Sequence, residues 1–257
     1  MAPVSNISTG NVTLEKKRSL TPDETTDEVR VLSIAEYEQA ALSLAEAFAV
    51  DDVARYFLDT DDMASFTEEY KYKLHCDILR YVTAAHCYKG IVTTIGPDYD
   101  AVALWMPPGK NMDDLWTIIR SGMWRLWYKL SSEGKTRFYN EFLPLLHDTK
   151  HEIMGERDDE SYYLVYLGSK PSARGKGYAR KLIENMTERA DLEGRAMYLE
   201  SSAEANIGYY KKHAFAEKKV IALERGPKPI KMHIMVREPQ AITEGSKRNG
   251  TVKIRAL

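Results

Sequence analysis

The fold is decided by residues 162–179, which read Tyr-Tyr-Leu-Val-Tyr-Leu-Gly-Ser-Lys-Pro-Ser-Ala-Arg-Gly-Lys-Gly-Tyr-Ala. The nearly continuous β-favouring run Tyr162–Leu167 predicts a central strand that is covered on both faces. After a short loop, Gly175 and Gly177 open a segment with apolar residues at helical spacing, and Gly194 ends it. Its apolar positions are Ala179, Leu182, Ile183, Met186 and Ala190. The two glycines therefore lie in a loop at the N-terminus of a helix.

This loop has the properties of a phosphate-binding site. Glycines let backbone N–H groups approach a ligand, and the helix dipole adds partial positive charge where those groups point. Basic side chains are concentrated around the loop, although the formal net charge of the chain is only −2. They are Lys170, Arg174, Lys176, Arg180 and Lys181. Such a concentration suits a cofactor with several phosphates.

Spacing separates three kinds of phosphate-binding loop. A Walker A loop needs Gly-Lys followed by Ser or Thr, whereas Lys176 is followed by Gly177. A Rossmann loop needs a third glycine where Arg180 stands and a tight turn after the strand, whereas residues 169–174 intervene before Gly175. Both interpretations fail, and an acyl-CoA loop is the third.

A second motif follows downstream. The predicted strand Ala196–Glu200 leads into Ser201-x-x-Glu204, the pattern of a capping box that would start a helix. Asn206 and Tyr210 lie four residues apart in that helix. We therefore expect both side chains to project from one helical face.

Together the two motifs resemble the signatures of the GNAT superfamily of acetyl-CoA-dependent N-acetyltransferases. The run Arg174-x-x-Gly177-x-Ala179 matches the first signature, Gln/Arg-x-x-Gly-x-Gly/Ala. Residues 206–215 resemble the second, Asn-x-x-x-Tyr-x-x-x-Gly-Phe, but Ala214 replaces the usual glycine, so we expect this helix to end without a strongly left-handed residue. The resemblance spans residues 28–238, is strongest over 160–216 and is closest to small-molecule enzymes similar to puromycin N-acetyltransferase.

The resemblance implies an α/β (α+β) fold, the GNAT acyl-CoA N-acyltransferase fold, with one mixed, twisted sheet and helices on both faces. Seven strands are expected, near residues 28–34, 88–94, 101–106, 161–168, 195–200, 216–223 and 230–237. Residues 1–27 are expected to form a disordered tail, 28–238 the N-acetyltransferase domain and 239–257 a second tail. Within the domain, residues 110–160 exceed the minimal pattern and are expected to be a helical insertion on the substrate side.

The resemblance also implies direct transfer of an acetyl group from acetyl-CoA to an amine, without an acyl-enzyme. Tyr210 matches the general acid that protonates the departing thiolate. A backbone N–H near Leu167 or Ser169 would stabilise the oxyanion, and Asn206 would bond the pantetheine or phosphate arm. The expected cofactor-binding residues are Leu167, Ser169, Arg174, Gly175, Lys176, Gly177, Tyr178, Ala179, Arg180 and Asn206.

The general base stays open between two residues. Glu200, at the end of a predicted strand, could take the proton of the substrate ammonium, and Tyr166 could act through a water molecule. A carboxylate that ends a strand is more often solvated or ion-paired than catalytic. Tyr209 is turned about 100° from Tyr210 around the helix and is the expected packing residue.

Periodicity predicts helices in the first half of the chain. One is expected over Glu36–Leu58, a second over Phe66–Val82 and a strongly amphipathic third from its cap Asn111 to Leu130. The tryptophans between residues 105 and 127 are interpreted as core residues because they recur at helical spacing.

The segment before the central strand is predicted to be less regular. Helical spacing over Phe138–Leu146 is expected to be interrupted at Pro144, which lacks a backbone N–H. Residues 147–161 are predicted to be a charged connection.

Composition and residue spacing give no indication of nucleic-acid binding, metal binding or membrane insertion. The 36 basic and 38 acidic residues nearly balance, which gives no global footprint for nucleic acid. Cys76 and Cys87 form no C-x-x-C pair and the six histidines show no ligand spacing, so neither a disulfide nor a metal site is expected. The chain has no apolar signal or membrane span, which favours a cytoplasmic protein without a membrane partner.

The favoured function is acetylation of a primary amine on a small molecule. Two alternatives stay open: acetylation of a protein or peptide, and a non-catalytic CoA-binding sensor in which Tyr210 is structural. The amine, the acyl-chain preference and the oligomeric state are not specified by the sequence.

Overall fold

The computed structural model describes residues 27–241, so predictions for residues 1–26 and 242–257 lie outside the described residues. Its strands are β1 Arg30–Val31, β2 Ile91–Ile95, β3 Ala101–Met106, β4 Tyr162–Ser169, β5 Met197–Ser201, β6 Ala216–Leu223 and β7 Ile230–Arg237. They form one seven-stranded sheet in the order β1-β2-β3-β4-β5-β7-β6. Each strand lies where the sequence predicts one, and the predicted mixed sheet is confirmed.

Helices cover both faces of the sheet. They are α1 Tyr37–Ala47, α2 Asp52–Tyr56, α3 Glu68–Lys89, α4 Leu115–Ser121, α5 Leu126–Lys129, α6 Ser132–Lys135, α7 Leu143–Met154, α8 Tyr178–Glu193 and α9 Ile207–Lys212. A π-helical turn, Thr136–Phe142, joins α6 to α7. Among the described residues, no helix is both long and apolar enough to cross a membrane.

The pairing of β4 with β5 determines where the site can form. These two strands are parallel, whereas the other neighbouring pairs of the described sheet are antiparallel. Parallel strands need a crossover connection, and α8 provides it. The carboxyl ends of β4 and β5 therefore lie at the same edge of the sheet, together with the loops that lead into α8 and α9.

Side-chain alternation along β5 divides the core into two layers. Tyr198 belongs to the layer shared with α1 and α3, and Leu199 to the layer shared with α8. Because alternate residues of a strand point to opposite sides, Glu200 faces the same side as Tyr198. We call these two sides of the sheet the α1 face and the α8 face.

Helix α8 confirms the pattern read from the sequence. The predicted apolar positions Leu182, Ile183, Met186 and Ala190 are all at most 2% exposed, packed on the α8 face. Gly194 ends the helix with φ at 63°, in the left-handed region that favours glycine.

The prediction of one continuous helix over residues 36–58 is wrong. It ends at Ala47, and Asp51 starts α2 by accepting hydrogen bonds from the N–H groups of Val53 and Ala54, at 3.0 and 3.1 Å. The side chain of an N-cap satisfies N–H groups that a continuous helix would have bonded internally. The second predicted helix begins two residues later than expected, at Glu68, and continues to Lys89.

The long amphipathic helix predicted from Asn111 is also wrong. Asp114, not Asn111, caps α4, because its carboxylate accepts the N–H of Thr117 at 3.0 Å. Gly122 then adopts φ of 83° and separates α4 from the turn that leads into α5. Trp105 is fully buried, but three tryptophans are exposed, so their interpretation as core residues is wrong. They are Trp116 at 75%, Trp124 at 45% and Trp127 at 55%.

Pro144 does not interrupt a helix as predicted. It lies in the first turn of α7, directly after the π-helical turn, and α7 then runs to Met154 through most of the predicted connection. The helical backbone continues from the π-helical turn into α7, so the hydrogen-bond pattern changes directly before the residue that has no N–H to donate.

Candidate active site

A gap opens between the two parallel central strands. Their pairing runs from Tyr162 opposite Met197 to Leu164 opposite Leu199 and stops there, although β4 continues to Ser169. On its other side β4 stays paired with β3 from Tyr163 to Ser169, with one irregularity. The carboxyl-terminal half of β4 therefore presents backbone groups that no strand occupies on the β5 side.

A β-bulge sets which N–H groups face this gap. Opposite β3, Leu164 pairs with Trp105 and Tyr166 with Leu104, which leaves Val165 as an extra residue and shifts the alternation by one. The N–H of Tyr162 donates toward β5, to Ala196 O at 2.9 Å, whereas that of Lys170 donates toward β3, to Asp100 O at 2.9 Å.

Counting back from Lys170 by twos gives the direction of each donor after the bulge. Gly168 and Tyr166 share the direction of Lys170, and the N–H groups of Leu167 and Ser169 point to the β5 side. These are the two backbone donors proposed for the oxyanion. Their direction follows from the bulge, which the sequence did not reveal.

Gly168 lets α1 approach the strand beside the gap. A Cβ atom at this position would lie 2.8 Å from Ala47 Cβ and 2.9 Å from Phe48 Cε2, closer than packed carbon atoms can be. The glycine is therefore required by the close approach of the end of α1 to β4.

The glycine loop before α8 has the expected helix-terminal geometry. Gly175 and Gly177 have φ angles of 81° and 77°, which disfavour any other residue, and Gly177 is the N-cap of α8. A Cβ atom on either would meet nothing within 4 Å. The first α-helical bond here is from Lys181 N–H to Gly177 O at 3.2 Å, so the N–H groups of residues 178–180 are available to a ligand.

Most basic side chains around the loop have a carboxylate nearby. Lys170 contacts Asp98 at 2.6 Å, and three longer pairs span 3.4 to 3.9 Å. The longer pairs are Lys181 with Asp27, Lys176 with Asp100 and Arg180 with Glu184. Arg174 has no carboxylate partner among residues 27–241; its guanidinium donates to Ala47 O at 3.5 Å. Exposed pairs of this length are weak, so an anionic ligand could replace them.

Glu200 lies on the α1 face at the end of β5, where its carboxylate is shielded from water. Desolvation raises the pKa of this carboxyl group to about 7, and the hydroxyl groups of Tyr163 and Tyr198 oppose the rise. Oε1 of Glu200 and the hydroxyl of Tyr198 are buried without a hydrogen-bond partner among the described residues. A buried acceptor without a donor is costly unless water or a ligand bonds to it.

Two tyrosines and a lysine around Glu200 were missed by sequence reasoning. Tyr163 and Tyr198 are opposite each other in β4 and β5, with ring centroids 5.5 Å apart. Lys150 of α7 holds its ammonium 5.9 and 5.8 Å from the two rings. The signal in the sequence is the presence of tyrosine in both strands, three in β4 and one in β5. Lys150 could not be found, because its region was predicted to be a connection.

Asp51 is a further polar residue at this edge. Its Oδ2 accepts the hydroxyl of Ser202, in the loop after β5, at 2.7 Å. Burial raises the pKa of Tyr166, the alternative base, and the negative charge of Asp51 adds to the rise. The ring of Tyr166 packs edge-on against Phe48, with centroids 5.2 Å apart. The break between α1 and α2 thus brings a carboxylate to the site.

Tyr210 lies on the opposite side of the sheet. It is 8% exposed in the α8-face core, against Phe215 at 5.9 Å, and burial raises its pKa, which keeps the phenol protonated. Tyr209 was expected to be the packing residue, but it is only partly buried, although its hydroxyl is shielded and unpartnered within the described residues.

Two details of the second motif differ from the prediction. Ser201 ends β5 and does not cap a helix: Ala203 precedes the turn Glu204–Asn206, and the Ser201 hydroxyl donates to Ala203 O at 3.1 Å. Ala214 has φ of 63°, so the chain does turn left-handed after α9 although the residue is not glycine. Asn206 is the exposed N-cap of α9.

The topology thus brings the predicted groups to one edge of the sheet, from two sides. The Leu167 and Ser169 N–H groups face the gap, Glu200 lies on the α1 face, and the glycine loop and Tyr210 lie on the α8 face. This arrangement offers N–H groups at a helix N-terminus, two N–H groups that face the gap, a carboxylate whose pKa is near neutrality and a protonated phenol. An enzyme of the acyltransferase class needs such groups.

Comparison with known proteins agrees with this class. Residues 145–215 match the acetyltransferase (GNAT) family. An uncharacterized N-acetyltransferase of Schizosaccharomyces pombe is 44% identical over 205 residues, which cover 80% of this chain and 81% of the relative. The chain therefore belongs to the GNAT family and is an N-acetyltransferase.

Solved structures share the fold at low identity. Arylalkylamine N-acetyltransferase 2 of Aedes aegypti is 16% identical, with a TM-score of 0.52 over 83% of this chain and 99% of that structure. A polyamine N-acetyltransferase of Drosophila melanogaster is 13% identical, with a TM-score of 0.51 over 82% and 98%. These similarities establish the fold alone.

Proposed function

We propose that this protein transfers an acetyl group from acetyl-CoA directly to a primary amine of a small molecule. The observation that carries the proposal is the gap between β4 and β5, which the Leu167 and Ser169 N–H groups face at the edge of the sheet where β5 ends with Glu200, whose Oε1 is buried. Oriented N–H donors in a site that excludes water are among the strongest contributions an enzyme makes to acyl transfer.

The residues of the glycine loop fit the cofactor. The N–H groups of residues 178–180 and the side chain of Arg174 would bind the pyrophosphate, and the open space above Gly175 and Gly177 would admit it. Asn206, exposed at the start of α9, would bond the pantetheine arm. Acetyl-CoA supplies a thioester as the acyl donor.

Glu200 is proposed as the general base. Its carboxylate would take a proton from the substrate ammonium, and the neutral amine would form the new C–N bond at the thioester carbon. As the C–S bond breaks, Tyr210 would give its phenolic proton to the sulfur, while Leu167 and Ser169 N–H groups stabilise the oxyanion. Tyr166 acting through water is the alternative base.

A small acceptor is favoured over a protein by what surrounds Glu200. Lys150 reaches over the Tyr163 and Tyr198 rings from α7, so this helix covers the side from which the amine would reach the carboxylate. The helices before it are tied to the β6–β7 loop, since the Arg225 side chain bonds to Glu133 at 3.0 Å. A peptide would need an open groove there. The arylalkylamine and polyamine enzymes that share the fold give the class of amines to test first.

The test is thiol release from acetyl-CoA in the presence of a panel of amines and peptides. We expect release with small primary amines, and a Tyr210→Phe variant should lose about 10² to 10⁴ in kcat while its CoA affinity is unchanged. Acetylation of peptides alone would support the protein-directed alternative. CoA binding without release for any amine would support the sensor and contradict the proposal.

A further inference from the structure

Segment 115–130 exposes an apolar aromatic surface. The side chains of residues 115–130 that face solvent are mostly large and apolar, and we call these apolar side chains together the aromatic surface. They are Leu115 at 70%, Trp116 at 75%, Ile119 at 48%, Trp124 at 45%, Trp127 at 55% and Tyr128 at 78% exposed. A concentration of exposed large apolar side chains in one short segment is typical of an interaction site.

Helix α4 is inverted relative to an ordinary surface helix. Its buried side chains are the small polar Thr117 and Ser121, whose hydroxyls bond to Asp114 Oδ2 at 2.7 Å and to Thr117 O at 2.6 Å. An ordinary surface helix buries its apolar stripe instead. The hydroxyl groups of Thr117 and Ser121 have hydrogen-bond partners in this orientation. No unpaired hydroxyl group therefore favours a rotation of α4 that would bury Trp116.

Cationic side chains lie among these aromatic rings. The Arg125 guanidinium is 5.3 Å from the Trp124 ring centroid, and the Lys135 ammonium is 5.5 Å from that of Trp127. Residues 115–130 contain two arginines and a lysine but no Asp or Glu, although the whole chain has a net charge of −2. Lys129 is paired with Asp77, so the net positive charge of the segment comes from Arg120 and Arg125. The aromatic surface is therefore locally positive.

A polar cavity adjoins the same segment. It has a volume of about 320 Å³, and its lining includes Arg80, Arg120 and Arg125, together with Asp77 and Glu38. Arg80 is paired with Asp77 at 3.0 Å. Within residues 27–241, Arg120 and Arg125 have no carboxylate partner; Arg120 instead stacks on the Tyr88 ring at 4.5 Å. Two unpaired guanidinium groups in a cavity suit a phosphate-bearing group.

We propose that the aromatic surface docks on the surface of an anionic lipid bilayer, with Arg120 and Arg125 receiving a lipid phosphate. Tryptophan and tyrosine prefer the interfacial region of a bilayer, exposed Leu115 and Ile119 gain from entering its apolar edge, and basic residues are attracted to anionic lipids. The sequence predicted no membrane partner because it lacks a spanning segment, but surface docking needs none.

Other partners fit the surface less well. In a symmetric dimer the same patch meets itself, so Arg120 and Arg125 of both copies would be brought together. A single-stranded nucleic acid could stack on the tryptophans but would leave Leu115 and Ile119 without apolar contact. The proposal does not depend on which amine the enzyme acetylates.

The test is co-sedimentation of the full chain with vesicles, made of phosphatidylcholine alone or mixed with phosphatidylserine. We expect binding to the mixed vesicles, weaker at high salt, with a blue shift of tryptophan emission, since Trp105 is already buried and only the exposed indoles can respond. A Trp116→Ala, Tyr128→Ala double variant should bind about tenfold more weakly or worse. Arg120→Gln with Arg125→Gln should remove the preference for phosphatidylserine.

Two control variants carry the same kinds of change elsewhere. Phe66→Ala removes another exposed aromatic ring, 44% exposed, and Lys218→Gln removes another exposed charge; neither should alter vesicle binding. Absence of vesicle binding, or equal binding by all variants, overturns the proposal. So does binding of inorganic phosphate without vesicle binding, a dimer that Trp116→Ala dissociates, or tighter binding to a single-stranded oligonucleotide than to vesicles.

Discussion

Helix α8 and the segment 115–130 show the same helical periodicity in sequence and opposite orientation in space. Helix α8 turns its apolar stripe onto the sheet, with Leu182 and Ile183 fully buried. In the other segment Trp116 faces solvent and Thr117 is buried. Periodicity thus identifies a stripe of apolar residues, but it does not say what the stripe will contact.

The topology explains the difference. Helix α8 is the crossover between two parallel strands, and such a connection must lie on the sheet, so its apolar stripe has one possible partner. Helix α4 packs mainly on α3, which with α1 already covers that side of the sheet. Its orientation follows from the Asp114 cap and the left-handed Gly122, and its apolar stripe faces solvent.

The largest effect is expected on kcat, from a change at Glu200 in the strand that follows α8. Glu200→Gln should lower kcat by about 10² to 10⁴, the range of a general base. In the wild type, kcat at saturating amine should rise as the pH increases through about 7, the pKa of Glu200. The variant should not show this rise. Glu204→Gln, the same change at an exposed position, is the control. If Glu200→Gln keeps the rise of kcat through pH 7, another group is the base and the assignment to Glu200 is contradicted.

The same residue links stability to pH. Because folding raises the pKa of Glu200 from 4.5 to about 7, its contribution to stability is present below pH 4.5 and is lost as the pH rises to about 7. The unfolding free energy of the wild type should therefore fall relative to Glu200→Gln by about 2 to 3 kcal/mol across this window. Urea titrations at several pH values measure the difference, and a constant difference would contradict a buried carboxylate.

The comparison of the two helical segments can be tested directly by truncation. Leu182→Ala should cost about 2 to 5 kcal/mol of unfolding free energy, because the side chain is fully buried. Trp116→Ala removes a larger side chain but should change stability by only about 0.5 kcal/mol, because that side chain is 75% exposed. Chemical denaturation measures both. A large loss in the second variant would mean that Trp116 packs within the chain.

A smaller effect is expected where α1 approaches β4. Gly168→Ala places a Cβ against Ala47 and Phe48, and we expect a loss of about 1 to 3 kcal/mol. Gly208→Ala is the matched control: it lies within α9, where an added Cβ meets nothing within 4 Å, and it should be neutral or stabilising. Equal effects of the two changes in thermal unfolding would show that the approach of α1 is not tight.

The smallest effect concerns the end of the second motif. Ala214→Gly should stabilise the protein by about 0.5 to 1 kcal/mol, because φ at this residue is 63° and glycine adopts this region without steric cost. Ala205→Gly, at a residue without positive φ, should destabilise it slightly. Loss of stability in Ala214→Gly would contradict the left-handed conformation.

The sequence was most informative where local chemistry and topology coincide. The strand at 162–169, the glycine loop and the apolar stripe of α8 could be predicted, because each depends on residues that are neighbours in the chain. All seven strands were expected for the same reason, together with the resemblance of the two motifs. The roles assigned to Glu200, Tyr210 and the loop residues remain predictions.

The rest of the site could not be predicted because it depends on contacts between distant segments. Asp51 meets Ser202 across 151 positions of the chain, and Lys150 reaches Tyr198 only because α7 folds over β5. The bulge at Val165 is invisible in the sequence, since a one-residue shift in pairing leaves no compositional trace.

By itself the sequence therefore determined the seven strands and helix α8, the glycine loop at 174–179 that precedes this helix and the chemical identity of the candidate acid and base. The tertiary structure decided that β4 and β5 separate beyond Leu164, that the pKa of Glu200 is near neutrality and that the tryptophans of 115–130 face outward. The physical reason is that local propensity and spacing act along the chain, whereas desolvation, strand register and the choice of packing partner arise only when distant segments meet.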